Sequence, residues 1–314
     1  MNATRRQRLL AWTAPLAVEA VSLGRSIILA RTIGPEEFGR AMLLALVLRL
    51  VEMLSDMGFE RLLVQAPEGD TPALQAQLHG ALMLRGGLIA LILLGLAPLL
   101  AMAFPDGPAA ANYAILAAIP ALRAFLHLDY RRFERSFDYR GLATVELGAG
   151  LAMLAGLGLG LLAGIEDHRV LVVALLAQAL TQVALSHLMA RRPWRLAFDR
   201  AGFARIWRFG APLTLNAGLM FLMLQADRFI VAWAWDWTDL AIYGTVAQLS
   251  LLPALIYGRI ANSLLLPGYG RALRAFLRDW ARDRTPNRGR RFGQALVLAA
   301  ELPPETQGIY VHFL

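Results

Sequence analysis

Hydrophobic positions along the chain come in long runs rather than in stripes. Eight stretches of about 20 or more mostly apolar residues lie at 9–31, 38–60, 80–104, 109–130, 141–165, 168–190, 209–234 and 239–266. A helix rises 1.5 Å per residue, so about 20 such residues cross the ~30 Å hydrocarbon core of a bilayer. The pattern therefore predicts eight transmembrane helices. Turn residues agree, because Gly34-Pro35, Pro105-Asp106-Gly107 and Gly164 ahead of Glu166-Asp167 sit where short connections are needed. Pro120, Pro253 and Pro267 fall inside or at the ends of runs. Membrane helices tolerate such kinks when neighbours or cavity water satisfy the freed carbonyls.

Composition changes the picture from apolar runs to a membrane protein: 57% of residues are hydrophobic, 17% are charged and the mean hydropathy is +0.50. A soluble domain has roughly 25% charged residues. The basic start "TRRQRLL" raises the alternative of an export signal, but Glu19 and Arg25 suit a cleavable apolar segment poorly. A retained first helix is expected. All 31 basic residues are arginine, and cytoplasmic flanks collect positive charge. With the N-terminus inside, the inner segments hold Arg5, Arg6 and Arg8, then Arg131 to Arg140, Arg191 to Arg208, and the arginines of 271–291. The outer turns hold Glu36, Glu37, Asp106, Glu166, Asp167, Asp236 and Asp239, with Arg169 the exception. The inner loop 67–79 breaks the pattern with Glu68 and Asp70 and no arginine.

The net charge of +8 does not point to nucleic acid, because the surplus sits at helix ends facing one compartment, where a membrane surface accounts for it. Cysteine is absent, which excludes disulfides and thiolate metal sites. His79, His127, His168, His187 and His312 are far apart in sequence without metal-ligand spacing, and no nucleophile elbow, P-loop or dinucleotide fingerprint stands in a usable context. No enzyme, metal or cofactor chemistry is expected.

A repeat is present. Shifted by 202 residues, "ILARTIGPEEFGRAMLLAL" at Ile28 lies over "IVAWAWDWTDLAIYGTVAQ" at Ile230 without gaps, with Ala30 over Ala232, Glu37 over Asp239 and Ala45 over Ala247. Six predicted helices separate equivalent points, an even number, so both copies would run in the same sense. Parallel six-helix repeats are a transporter architecture, with the substrate path between bundles. The expected fold is an all-α integral membrane protein. Residues 1–195 would form a six-helix bundle, 196–208 a cytoplasmic amphipathic linker, 209–273 the first two helices of a second bundle, and 274–314 a basic cytoplasmic segment and atypical tail.

"ILARTIGPEEFG", a helix ending "LSDMGFERLLVQ", and "WRFGAPLTLNAGLMFLMLQADRFIVA" at Trp207 to Ala232 together resemble the polysaccharide transporter family. These are the O-antigen and lipid-linked oligosaccharide flippases of the multidrug/oligosaccharidyl-lipid/polysaccharide exporter superfamily. The resemblance implies a multi-pass protein of the bacterial inner membrane with lipid-linked oligosaccharide as substrate, and glycan polymerase and glycosyltransferases as partners. It also implies twelve to fourteen helices, against which "FGQALVLAAELPPETQGIYVHFL" is too short in its apolar part to span. A chain truncated after the eighth helix is the expectation, and an inactive remnant stays open as an alternative.

The charges inside the runs are the candidate chemistry. Arg49, Glu52 and Asp56 stand at i, i+3 and i+7, on one helix face. Each would cost about 2.5–3.5 kcal/mol at mid-bilayer against lipid, so the face must meet protein or water. Glu19, Ser22, Arg25 and Ser26 make a polar face on the first helix; Arg85 marks the third, Arg123, His127 and Asp129 the fourth, Glu146 the fifth, and Asn216 and Asp227 the seventh. Two readings compete: ion pairs that pin helices together, or a hydrated cleft between bundles. In the second, Arg25, Arg49, Arg85, Arg123 and Arg228 would hold the pyrophosphate of a lipid-linked sugar, and Glu19, Glu52, Asp56 and Asp227 a coupling cation or proton. A cation-coupled small-molecule antiporter using the same carboxylates is the runner-up. Gly156, Gly160 and Gly164 read as a close-packing ridge, Trp233, Trp235 and Trp237 as an interfacial belt, and Trp194 and Trp207 as part of the interfacial linker.

Overall fold

The computed structural model describes residues 3–104, 106–136 and 138–251, and among them the chain is helix and connecting turn with no strand. Helix α1 (Ala3–Thr32) and α2 (Gly34–Leu54) make the first hairpin, turning at Gly34 with a positive φ of 79°. Then come α3 (Phe59–Gln65), α4 (Pro72–Ala103), α5 (Ala110–Leu116), α6 (Ala118–Arg123), α7 (Asp129–Arg132), a 3-10 turn (Phe133–Ser136), α8 (Arg140–Leu162), α9 (Arg169–Leu188) and α10 (Arg200–Ala234). A last helix, α11, covers 237–251. The rest of the expected eighth span, with Pro253 and Pro267, and the segment 274–314 lie outside the described residues. By length and apolarity, α4, α8, α9 and residues Gly202–Ala234 of α10 can each cross a membrane. The all-α membrane fold is thereby met.

Three departures from the run pattern have physical causes. The second run breaks after Leu54: Gly58 takes a left-handed conformation with φ 63°, and its N–H donates to Asp56 Oδ1 at 2.9 Å. A polar Asx turn thus ends α2 where hydropathy alone would carry the helix through. The fourth run breaks near its middle, because Pro120 has no N–H to give the carbonyl of residue 116, and the Ala117 N–H bonds Ala114 O at 3.0 Å in 3-10 fashion. The third difference lies in the linker, which is no separate helix: Asp199 caps α10 by accepting the Gly202 N–H at 2.8 Å, and the basic "FARIWRFG" continues into the seventh span as one 35-residue helix.

Helix α4 is 32 residues, about 48 Å at 1.5 Å per residue, longer than the hydrocarbon core. Its first part is buried (Leu74, Leu78, His79, Leu82), whereas Leu84, Leu88, Leu91, Leu99 and Met102 of the later part are more than half exposed, a lipid-facing side. The tightest pairing is α8 on α9, where Gly156 lies against Ala174 and Ala177, and Gly160 against Val170. Gly164 does not extend that ridge. It takes φ 81° and turns the chain out of α8.

Two buried clusters hold the helices together. One gathers Leu29, Phe38, Leu44, Tyr113, Leu157, Val170 and Trp237; the other gathers Phe59, Leu63, Leu78, Leu128, Tyr130, Val145 and Ile206. Trp237 is 8% exposed and stacks on Phe104 at 6.3 Å between ring centroids, so it is core, while Trp233 and Trp235 are exposed. The repeat appears as two helix–turn–helix hairpins, α1–α2 and α10–α11. They touch at Gly39 against the Trp237 backbone and at Met42 against Gly244. Met42 and Gly244 are equivalent positions under the 202-residue shift, whereas Gly39 and Trp237 are not.

Candidate functional site

Seven helices, α1, α2, α3, α4, α6, α8 and α9, line a cavity of about 620 Å³. The break at Ser55–Gly58 makes room for it: α2 supplies Arg49, Glu52, Met53 and Asp56 along one face, and the redirected chain returns Glu60 and Arg61 to the same space. Arg25 enters from α1, Arg85 from α4, Arg123 from α6, Glu146 from α8, and Gln178 and Gln182 from α9. Six of the nine residues singled out by sequence line it: Arg25, Arg49, Glu52, Asp56, Arg85 and Arg123. Glu19, Asp227 and Arg228 do not, and α10 contributes no residue to the wall.

The lining charges divide by what they touch. Glu52 Oε1 accepts Arg123 NH1 at 2.6 Å, an ion pair with each side chain about one quarter exposed. Arg85 donates through NH2 to the Glu52 carbonyl at 2.9 Å and through Nε to Ser55 Oγ at 3.2 Å, satisfying the carbonyl end of α2. Asp56 accepts the Gly58 N–H, and its own carbonyl accepts Thr214 Oγ1 of α10 at 2.9 Å. These four are held by structure.

Arg25, Arg49 and Arg61 make no ion pair among the described residues. Among the described residues the hydrogen bond of Arg25 is a weak one, NH1 to Met153 Sδ at 3.7 Å. Arg49 is exposed toward the cavity and repels both Arg25 and Arg228. Arg228 has a buried Nε without a partner. Its neighbour Asp227 is exposed and accepts Tyr243 OH at 2.5 Å, so the seventh-helix pair stands beside the cavity and closest to it through Arg49. Three guanidiniums, on α1, α2 and α10, therefore lie within electrostatic reach of one another through Arg49, and Arg228 also faces Asp227. Such an arrangement favours a dense anion with several acceptor oxygens, phosphate above all.

Below the cavity Arg131 gathers three carboxylates: Glu60 at 2.7 Å, Glu134 at 3.2 Å and Glu146 at 3.3 Å. Burial pushes the Glu134 carboxyl up. At the surface Asp70 pairs with Arg132 at 2.9 Å and Arg192 at 3.3 Å, and the Arg132 hydrogen bond holds its carboxyl below the usual range. At the other end of α2, Arg40 pairs with Glu36 at 2.7 Å and with Glu37, and donates to the Asp106 carbonyl at 2.9 Å. Glu37 also takes His168 Nδ1 at 2.6 Å, and His168 Nε2 meets Asn112 at 2.7 Å. That network ties three connecting turns together.

His127 and Asp129, expected on the charged face of the fourth span, are buried anchors instead. Asp129 is wholly buried and accepts Arg132 Nε at 2.7 Å and the Arg191 N–H at 2.8 Å. The structure also assembles what sequence spacing separates: His79, His127 and His187 stack edge to face, with ring centroids 4.9 and 5.2 Å apart, and Trp194 lies over His79 at 5.9 Å. His79 donates Nδ1–H to the Arg195 carbonyl and accepts the Leu128 N–H at Nε2; His127 donates Nε2–H to the Arg192 carbonyl and accepts the Asp129 N–H at Nδ1. Both rings are thereby fixed as neutral tautomers with no nitrogen free for a metal. They clasp the segment 190–198 to the bundle, and Trp194 is a packing residue there rather than a headgroup anchor. Only the residue types were visible in sequence, since carbonyl partners carry no sequence signal.

Comparison with curated proteins and with solved structures finds no match for the chain. Comparison with family models finds one, that of the polysaccharide biosynthesis proteins, over residues 28–275. The match takes in the first hairpin's turn, the charged face of α2, every other wall of the cavity except Arg25, and the Asp227–Arg228 pair, and the chain belongs to the polysaccharide biosynthesis protein family.

Proposed function

We propose that the protein moves a polyprenyl-pyrophosphate-linked oligosaccharide, an O-antigen or exopolysaccharide unit, across the bacterial cytoplasmic membrane without covalent change. The observation that carries this reading is the set of cavity arginines left without carboxylates, Arg25, Arg49 and Arg61, with Arg228 adjacent. Unpaired guanidiniums inside a membrane protein are costly unless a ligand completes them. A pyrophosphate diester supplies two charges and several acceptor oxygens on a small volume, while sugars hydrogen-bond the amides of Gln178 and Gln182 on the opposite wall. The lipid tail stays in the bilayer, and the protein's task is to lower the barrier for polar groups in hydrocarbon. The N-terminus is cytoplasmic in this scheme, and glycosyltransferases and a glycan polymerase act before and after the transfer.

Among the carboxylates first considered for coupling, Glu52 is committed to Arg123, Asp56 to its turn, and Asp227 to Tyr243. The test is outer-leaflet accessibility of the lipid-linked glycan in cells carrying Arg49→Gln. At normal protein levels accessibility falls at least tenfold, the loss of one charge-assisted contact to phosphate, about 1.5–3 kcal/mol. Unchanged accessibility removes the arginine cluster from the mechanism.

A further inference from the structure

Glu146 is a cavity carboxylate that shares its one ion-pair partner with two other carboxylates. It sits on α8 with its side chain one quarter exposed to the cavity, and its nearest cation, Arg131 at 3.3 Å, is shared with Glu60 at 2.7 Å and Glu134 at 3.2 Å. One guanidinium cannot neutralise three carboxylates. Two orphaned groups border the same cluster. The Tyr130 hydroxyl, on a side chain that is 0% exposed, faces Arg131, Glu60 and Glu146, and no hydrogen bond of normal geometry satisfies it. Gln182 hydrogen-bonds Glu146 from α9, yet its Oε1 is buried and unpartnered. The amide N–H serves the ionised carboxylate, whereas its buried oxygen lacks a donor, and a proton on Glu146 would supply one.

The balance of charge points the same way. The cavity wall carries five arginines and four carboxylates, a net +1, and a proton on Glu146 makes it +2, the complement of a pyrophosphate diester. We infer that Glu146 is a proton-binding site of the cavity, and that loading of the anionic head group is accompanied by uptake of one proton there. This rests on the flippase reading for the identity of the anion. The sign follows from electrostatics: an anion brought beside Glu146 disfavours its carboxylate, so occupancy by anion and occupancy by proton reinforce one another. The groups facing Glu146 are Arg131 and Tyr130 from α7, Glu60 from α3, Glu134 from the 3-10 turn and Arg123 from α6, itself paired with Glu52. Gln182 faces it from α9, and from α1 comes Arg25 across the cavity. Among the described residues no group of three or more histidines and carboxylates, this cluster included, is arranged to hold a metal ion.

The experiment is calorimetric titration of the full chain in nanodiscs with geranyl-pyrophosphoryl-N-acetylglucosamine, a diester that does not itself titrate near neutrality. Runs in buffers of different ionisation enthalpy count the protons taken up. The wild type takes up as much as one proton per head group, and its affinity rises as pH falls, by at most about tenfold per pH unit. Glu146→Gln abolishes the uptake and flattens the pH dependence; Glu146→Asp retains both, which guards against a folding artefact. Glu134→Gln leaves the uptake in place. Binding without proton uptake, uptake that persists in Glu146→Gln, uptake lost in Glu134→Gln instead, or a sodium requirement in its stead overturns the assignment. Absence of binding at every pH refutes the flippase reading instead.

Discussion

Two arginines of one cavity should respond to the same substitution with opposite signs. Arg49 makes no ion pair among the described residues and repels Arg25 and Arg228. Arg123 holds Glu52 at 2.6 Å, with both side chains about three-quarters buried. For Arg49→Gln, two guanidinium–guanidinium repulsions disappear. Between side chains of which one is exposed, each is worth about 0.5 kcal/mol. The variant is therefore more stable than wild type by about 1 kcal/mol, a melting temperature higher by about 2–4 °C for a chain of this size. Its affinity for a pyrophosphate diester falls at least tenfold. For Arg123→Gln, Glu52 is left about three-quarters buried without its cation, and stability falls by about 2–4 kcal/mol. Thermal unfolding in detergent, with and without the short-chain ligand, reads both. An Arg49→Gln protein that is less stable by 1 kcal/mol or more and binds the ligand as well as wild type would refute the assignment of Arg49 to ligand rather than to structure.

Two further outcomes test the scaffold. Asp129→Asn leaves Arg132 short of a buried partner and sets an amide against the Arg191 N–H, and it lowers stability by about 2–4 kcal/mol, with segment 190–198 becoming protease-sensitive before the helices melt. Equal cleavage of variant and wild type counts against that anchor. In Gly39→Ala the new Cβ meets the Trp237 carbonyl carbon at 2.7 Å, a backbone atom that no rotamer change can move. The α1–α2 and α10–α11 hairpins separate at about 1–3 kcal/mol, and disulfide formation by Met42→Cys with Gly244→Cys, in a chain otherwise free of cysteine, drops sharply. Undiminished cross-linking shows that the hairpins do not depend on that contact.

What sequence could reveal follows from what each feature depends on. The spans α8 and α9 are legible to within a few residues because long apolar runs with glycine and acidic turns have one solution in a bilayer. The breaks at Ser55–Gly58 and Ala117 are not, since hydropathy is blind to an Asx turn and to one missing N–H at Pro120. The linker fails for the converse reason: after the Asp199 cap nothing stops a helix, so charged residues continue into the apolar run. The candidate site was legible as a set and illegible in its roles. Spacing places Arg49, Glu52 and Asp56 on one face, but the partner of Glu52 is 71 residues away and that of Arg85 is a backbone carbonyl.

That face shows why charges persist in a membrane helix. Each would cost about 2.5–3.5 kcal/mol against lipid, and a purely structural role predicts that all three find partners inside the protein. Two do. Glu52 is neutralised by Arg123, and Asp56 spends an oxygen on the turn that ends α2. Arg49 stands among other cations, which packing would select against, because an uncharged residue there removes repulsion and breaks no ion pair among the described residues. A position kept less stable than it could be is one where the missing interaction comes from outside the protein. The two satisfied carboxylates are then the frame that fixes the helix face and the cavity floor, and on the proposed function the unsatisfied arginine is the one left for the anion.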